Sequence, residues 1–318
     1  MKKLIELKMG LFRIYRVLEV TLVSLGFSTL GFSSFAEEVR RDLSSFKSSA
    51  ELVESLSEEA WRELNSQNTL VMTLPGGEVI IELVDGFAPK HVQNIKTLVA
   101  EKYFNGTAVI RSQDNYVAQW GDTSDVDEGE ANISPKSLGS AKKNIEVEFF
   151  EPMGSIPFNM INSRDSYADK VGFTRGMPTA SDGEKAWLSH CYGMVGVSRG
   201  QEIDSGNGSG LYAITGHAPR HLDLNVTLVG KVWVGMHHLS SLPRGKGPLG
   251  FYTDESKYVP ITSVDFLSEK RSIKVMRTDT AEFKRFVELR TYRNESWFIE
   301  PTGKIEMCNI WVPVKEVG

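Results

Sequence analysis

Cysteine is nearly missing from this 318-residue chain, which holds only Cys191 and Cys308. Neither belongs to a CxxC pair and no HExxH occurs, which argues against a structural zinc cluster and a zincin-type catalytic site. A phosphate-binding loop is lacking too. The run Gly206-Asn-Gly-Ser-Gly210 has the glycines but neither GK[ST] nor GxGxxG, and turn chemistry explains it. No apolar run reaches the ~20 residues of a membrane-spanning helix. Positive charge is short as well: 36 Lys and Arg stand against 41 Asp and Glu, for a net −5. Five of those bases fall before residue 17, so the rest is more acidic still, which argues against non-specific nucleic-acid binding. No internal repeat of fixed period is present. What remains is a chain of ordinary globular make-up, 41% hydrophobic and 24% charged, for which no metal or other cofactor is expected.

The bases at the start have a use. Lys2, Lys3, Lys8, Arg13 and Arg16 precede the apolar stretch Val20 to Phe35, which ends in Ser34-Phe35-Ala36 before Glu37-Glu38. Small residues at −3 and −1 suit signal-peptidase cleavage after Ala36, so residues 1–36 read as a signal peptide and the mature chain as periplasmic or secreted. The alternative is an uncleaved leader tethering the protein to the membrane and facing the periplasm, since the leading region is long and Glu19 interrupts it.

Residues 37–66 read as an N-terminal helical arm, with Leu52, Val53, Leu56, Ala60, Trp61 and Leu64 on one stripe. A hairpin follows: Thr69 to Leu74 and Glu78 to Val84, joined at Pro75-Gly76-Gly77. Pro89 opens a helix whose apolar face is Val92, Ile95, Leu98 and Val99. Residues 123–190 read as an insertion, mostly exposed loop, with a strand expected at Ile145 to Phe150. Short apolar runs at Gly193 to Val197, Gly210 to Thr215 and Val226 to Val232 predict further strands, and a second helix is expected near Val234 to Leu242. The tail, 272–318, reads as a β extension through Trp297-Phe298-Ile299 and Ile305 to Val314.

An ordered series of motifs then carries a resemblance. Gly77-Glu-Val-Ile-Ile-Glu-Leu, Ala88-Pro89, Asn94, Tyr103-Phe104-Asn105-Gly106, Arg111 and Gln119-Trp120-Gly121-Asp122 form its first half. Gly193-Met-Val-Gly-Val-Ser, Gly208-Ser209-Gly210-Leu211-Tyr212, His221-Leu222-Asp223 and Leu228-Val229-Gly230-Lys231-Val232 form its second. In order and spacing the chain resembles the cyclophilin-type peptidyl-prolyl cis-trans isomerases. The resemblance implies a mainly β fold, a closed antiparallel eight-stranded β-barrel capped by two helices, over 67–271. It also implies an enzyme that rotates X-Pro bonds in proline-containing polypeptides of the envelope as they fold.

By the same resemblance Arg111 is the central catalytic residue and Gln119 orients the substrate. Tyr116, Val117, Ser198, Arg199, Gly210, Tyr212, His221 and Leu222 match substrate-binding positions. The chain departs from the family at several of them. Val109-Ile110 replaces Phe-His, Tyr116 a Phe, Gly210 a Gln, Arg199 an Asn, and Val226 stands near a usual His. His221 takes the place of a Trp that contacts cyclosporin in some members, so weak drug binding is expected. These departures keep a second reading open, a non-catalytic binding module or scaffold for proline peptides. In an exported chain Cys191 and Cys308 have one possible pairing, a disulfide clamping the tail to the barrel; a buried thiol is the other outcome. His237-His238 reads as a solvated pair.

Overall fold

The computed structural model describes residues 48–125, 135–217 and 219–317. The expected signal peptide, the first part of the expected arm (37–47) and the acidic stretch 126–134 lie outside the described residues. Along the chain, α1 (Ser49–Glu54) precedes β1 (Trp61–Glu63), β2 (Thr69–Leu74), β3 (Gly77–Leu83), α2 (Pro89–Ala100), β4 (Ala108–Ser112) and β5 (Val117–Gly121). The inserted region holds β6 (Glu151–Pro152), β7 (Asn159–Met160), β8 (Lys170–Thr174), β9 (Met177–Ser181) and β10 (Lys185–Leu188). Then come β11 (Met194–Val197), β12 (Leu211–Ile214), β13 (Leu228–Val234), α3 (Met236–Ser240), β14 (Val259–Pro260) and β15 (Ser263–Phe266). The tail adds β16 (Ser272–Met276), α4 (Ala281–Tyr292) and β17 (Val314–Val317).

The fold is mainly β, built on a curled nine-strand antiparallel sheet in the order β14-β4-β5-β12-β11-β13-β3-β2-β15. Alternation decides its faces. Leu70, Met72 and Leu74 of β2 and Val79, Ile81 and Leu83 of β3 all turn inward, as a two-residue period requires. Against them lie Val92, Ile95, Leu98 and Val99 of α2, which starts at Pro89, and Met236 and Leu239 of α3. The two end strands of this sheet are successive in sequence, with only Ile261 and Thr262 between them. The Ile261 amide donates to the Thr107 carbonyl at 2.8 Å, next to β4, and the Thr262 amide to the Thr73 carbonyl at 3.0 Å, on β2.

Four expectations are corrected outside this sheet. The stripe over 52–64 is not one helix: α1 ends at Ser55, whose hydroxyl bonds the Leu52 carbonyl at 2.7 Å, and Trp61–Glu63 pairs with β16 instead. A serine that satisfies a helix's last carbonyls favours stopping over continuing. The inserted region is not mostly loop, since β6 to β10 form a five-stranded sheet of order β6-β10-β9-β8-β7. Ile145 to Phe150 forms no strand; Ile145 is buried, while Glu148 accepts the Lys90 and His91 amides at 3.0 Å, at the start of α2. In the tail, Thr280 caps α4 by accepting from the Phe283 amide at 3.2 Å, and Phe283, Phe286, Val287 and Leu289 bury its one apolar face. Trp297-Phe298-Ile299 and residues 305–313, expected as strands, form none: Trp297 and Ile299 are 81% and 100% exposed, Met307–Asn309 is a single tight helical turn, and β17 starts only at Val314. Sulfurs of Cys191 and Cys308 are joined, with the Cα atoms 5.0 Å apart. Among the described residues no helix is long and apolar enough to cross a membrane.

Candidate active site

A single bulge aims the central arginine. Val109 pairs with Trp120 across β4 and β5 and both face the core, yet the next pair is Arg111 with Gln119, with Ile110 extra. Two residues against one reverse the parity of β4, so Arg111 leaves the core face and joins Gln119 on the other. The row continues. Gln119 pairs with Tyr212 of β12, and Tyr212 with Gly196 of β11. Four adjacent strands thereby set Arg111, Gln119, Tyr212 and Gly196 abreast, where cross-strand neighbours touch.

The Arg111 guanidinium is held by neutral groups. Its Nη1 donates to Gln119 Oε1 at 2.9 Å, its Nη2 to Gln113 Oε1, and its Nε to the Leu249 carbonyl at 2.7 Å. Phe251 and Tyr116 flank it, with ring centroids 5.3 and 5.7 Å from its central carbon. Burial draws its pKa below the usual arginine value, but arginine stays charged in proteins. The Leu249 carbonyl reaches it because Gly250 lies flat on Gln113: a Cβ there, at φ 82°, would stand 2.6 Å from Gln113 Cα.

The other wall is mostly rings, and Tyr116 bridges to it from Arg111. Tyr116 and His221 stack with centroids 5.9 Å apart, and their Oη and Nε2 lie 3.4 Å apart. His221 and Leu222 sit in the turn Arg220–Leu222, while Tyr212 is buried in β12. Burial raises the phenol pKa of both Tyr116 and Tyr212. Between the two walls runs a cleft of about 730 Å³.

Of the residues expected there, Arg111, Gln119, Tyr116, Val117, Ser198, Arg199, Tyr212, His221 and Leu222 line the cleft. Gly210 does not; its carbonyl is taken by the Ser198 amide at 2.9 Å. Arg199 lines the cleft and gives two of its five donors to the carbonyls of Asn225 at 3.1 Å and Gly200 at 3.0 Å. Gln113, Gln201, Leu249 and Phe251 were not anticipated. Strand alternation two residues after Arg111 was a usable signal for Gln113, whereas Leu249 and Phe251 arrive on a Gly- and Pro-rich loop that carries none.

Residues 69–265 match the family described as "Cyclophilin type peptidyl-prolyl cis-trans isomerase/CLD". The chain belongs to this family. Membership brings with it the isomerisation of peptidyl-prolyl bonds. Among relatives, the "Probable peptidyl-prolyl cis-trans isomerase" of Brucella suis is 29% identical over 181 residues, spanning 56% of this chain and 73% of its own. The protein of the same description from Brucella abortus is 28% identical over the same shares. Cyclophilin AquaCyp293 from Hirschia baltica, a solved structure, superposes with a TM-score of 0.60 at 22% identity, covering 82% of this chain and 98% of its own. That likeness concerns the fold: this cyclophilin carries its additional segments on a framework that a second cyclophilin of similar extent shares.

Proposed function

We propose that the cleft rotates X-Pro bonds of exported polypeptides during folding, with Arg111 acting on the twisted imide, Gln119 orienting the chain and Tyr212, Leu222 and Val117 walling the proline ring. The observation that carries this reading is the row of Arg111, Gln119 and Tyr212 across β4, β5 and β12. Amide resonance opposes rotation with a barrier of ~18–20 kcal/mol. As the C–N bond twists, the imide nitrogen becomes pyramidal and regains a lone pair, which a fixed donor can meet in the transition state but not in the planar ground state. A guanidinium has five N–H donors, and three bonds to protein partners account for three of them. Two remain for substrate.

We read the sheet as an eight-stranded barrel closed on itself, with β14 and β15 as two halves of one strand and α2 and α3 as caps. Residues 1–36 are proposed to direct export to the periplasm, and intact-mass analysis of envelope fractions would find a chain lacking them. A chain retaining Met1 sinks that part. One feature favours the binding-module alternative: Arg199 turned onto loop carbonyls and Gly210 outside the cleft leave a bound peptide backbone fewer partners.

A protease-coupled assay on a chromogenic Ala-Ala-Pro-Phe peptide separates the two. The wild type is expected to isomerise above background, and Arg111→Ala to lower kcat by about 10²–10³ while peptide affinity stays within a few-fold. Arg111→Lys restores little, because a point charge lacks the planar fork. A wild type without activity, or an Arg111→Ala protein as fast as the wild type, leaves the binding module.

A further inference from the structure

Behind the Tyr212 wall lies a buried chain of polar groups that the isomerase reading leaves unused. Tyr212 Oη lies 3.0 Å from His190 Nε2, and His190 Nδ1 lies 2.8 Å from Asp223 Oδ1. The His190 backbone amide donates to that same oxygen at 2.9 Å. On its other oxygen, Asp223 receives Arg220 Nε at 2.6 Å and, from β10 of the inserted sheet, Trp187 Nε1 at 3.2 Å. Arg220 then forks onto Asp165 of the inserted region at 2.7 and 3.0 Å. All of these side chains are shut off from water.

The chain has one donor sense. Burial tends to raise the Asp223 pKa, but the His190 hydrogen bond and the Arg220 charge outweigh it and hold the carboxyl below its usual range, so Asp223 only accepts. Burial also lowers the His190 pKa, leaving a neutral ring whose one proton sits on Nδ1, facing the carboxylate. Nε2 is then an acceptor, and the Tyr212 hydroxyl must donate to it. The seat for that hydroxyl is made by a glycine: a Cβ on Gly196 would stand 2.3 Å from Tyr212 Oη.

We propose that His190, oriented by Asp223, is a positioning residue that anchors the Tyr212 ring at a fixed place beside Gln119 and Arg111, and so sets how tightly the cleft holds the proline ring. This rests on the isomerase reading of the cleft. An anchored wall contacts the proline ring in ground and transition states alike, so its loss falls on KM rather than kcat. The inserted region, through Trp187 and Asp165, becomes part of the substrate pocket without touching substrate.

Three variants test it: Tyr212→Phe, which removes only the hydroxyl; His190→Asn, which keeps a donor toward Asp223 and removes the acceptor; and the two combined. Each single change is expected to raise KM for the Ala-Ala-Pro-Phe peptide by about three- to tenfold, the range one net hydrogen bond spans, with kcat within about twofold. The double variant should be no worse than either single one, because both break one link. In the wild type, ¹⁵N NMR should show His190 Nε2 unprotonated, and Tyr212→Phe should shift that resonance. Additive losses, or a proton on Nε2, overturn the proposal. Should His190→Asn fail to fold, Tyr212→Phe decides alone: an active wild type with KM unmoved in this variant sinks the proposal and spares the isomerase. A wild type that neither binds nor turns over prolyl peptides sinks both.

Discussion

The two walls of the cleft are supported in opposite ways. On one side a charged group, Arg111, is steadied by two glutamines and a main-chain carbonyl from a loop, in a setting partly open to water. On the other side the ring of Tyr212 is backed, through His190, by a dry network of full charges, Arg220 between Asp165 and Asp223. The difference has a physical logic. On the proposed reading, a group that donates to a transient lone pair should not be satisfied by an anion, which would compete with substrate, whereas a wall that only needs to stay put gains from partners it cannot leave.

This contrast ranks the expected effects. Asp223→Ala should be the most damaging to stability, by about 3–5 kcal/mol in urea unfolding, because it takes one of two carboxylates from buried Arg220 and leaves the His190 and Trp187 side chains without their acceptor. A loss under about 1 kcal/mol would mean that the dry network supports nothing. Next comes a buried cation without such pairing. Among the described residues Lys231 reaches the Gly176 carbonyl at 3.5 Å and the faces of Trp233 and Trp311, and burial, partly offset by the Glu82 charge, lowers its pKa to about 7 against an ordinary 10.5. Between those values the unfolded chain holds a proton the folded one has released, so wild-type stability should rise as pH goes from about 7 toward 10.5. Lys231→Met should be more stable than wild type by ~1–3 kcal/mol at pH 6, with the gain shrinking across that window. A gain that does not vary with pH would assign it to packing. Smallest is the pair of glutamines. Gln119→Ala should lower kcat about tenfold and Gln113→Ala about threefold, each changing stability by about 1 kcal/mol, since each removes one neutral acceptor of the Arg111 guanidinium at a half-open site. Equal large losses of stability would erase the contrast between the walls.

What the sequence disclosed follows the same division. Arg111 and Gln119, eight residues apart on two strands of one hairpin, are related by local geometry, and a motif read along the chain captures local geometry. The roles of all five, Arg111 and Gln119 as well as Tyr212, His221 and Leu222, came through the family resemblance, and the last three lie far along the chain from the first two. The support behind them was invisible, because His190 and Asp223 are 33 residues apart and meet through folding alone. The inserted sheet was missed for another reason: Gly172, Gly176 and Pro178 interrupt β8 and β9, which reads as loop until the neighbouring strands are placed. For α4 the signal was present in Thr280 and the Phe283, Phe286, Val287 spacing, and the strand-like residues around it masked the period.

The bond between Cys191 and Cys308 closes a covalent ring spanning 117 positions, and that ring contains Tyr212, His221, Leu249 and Phe251. Proteolytic nicking anywhere inside it, including the loop that delivers Leu249 to Arg111, opens the main chain without parting the molecule. A nicked protein would migrate at full mass on a non-reducing gel and as fragments after reduction, with both sides of the cut still tied to one fold. Exposed loops around the cleft are therefore places where this protein can be cleaved once and keep its cleft together.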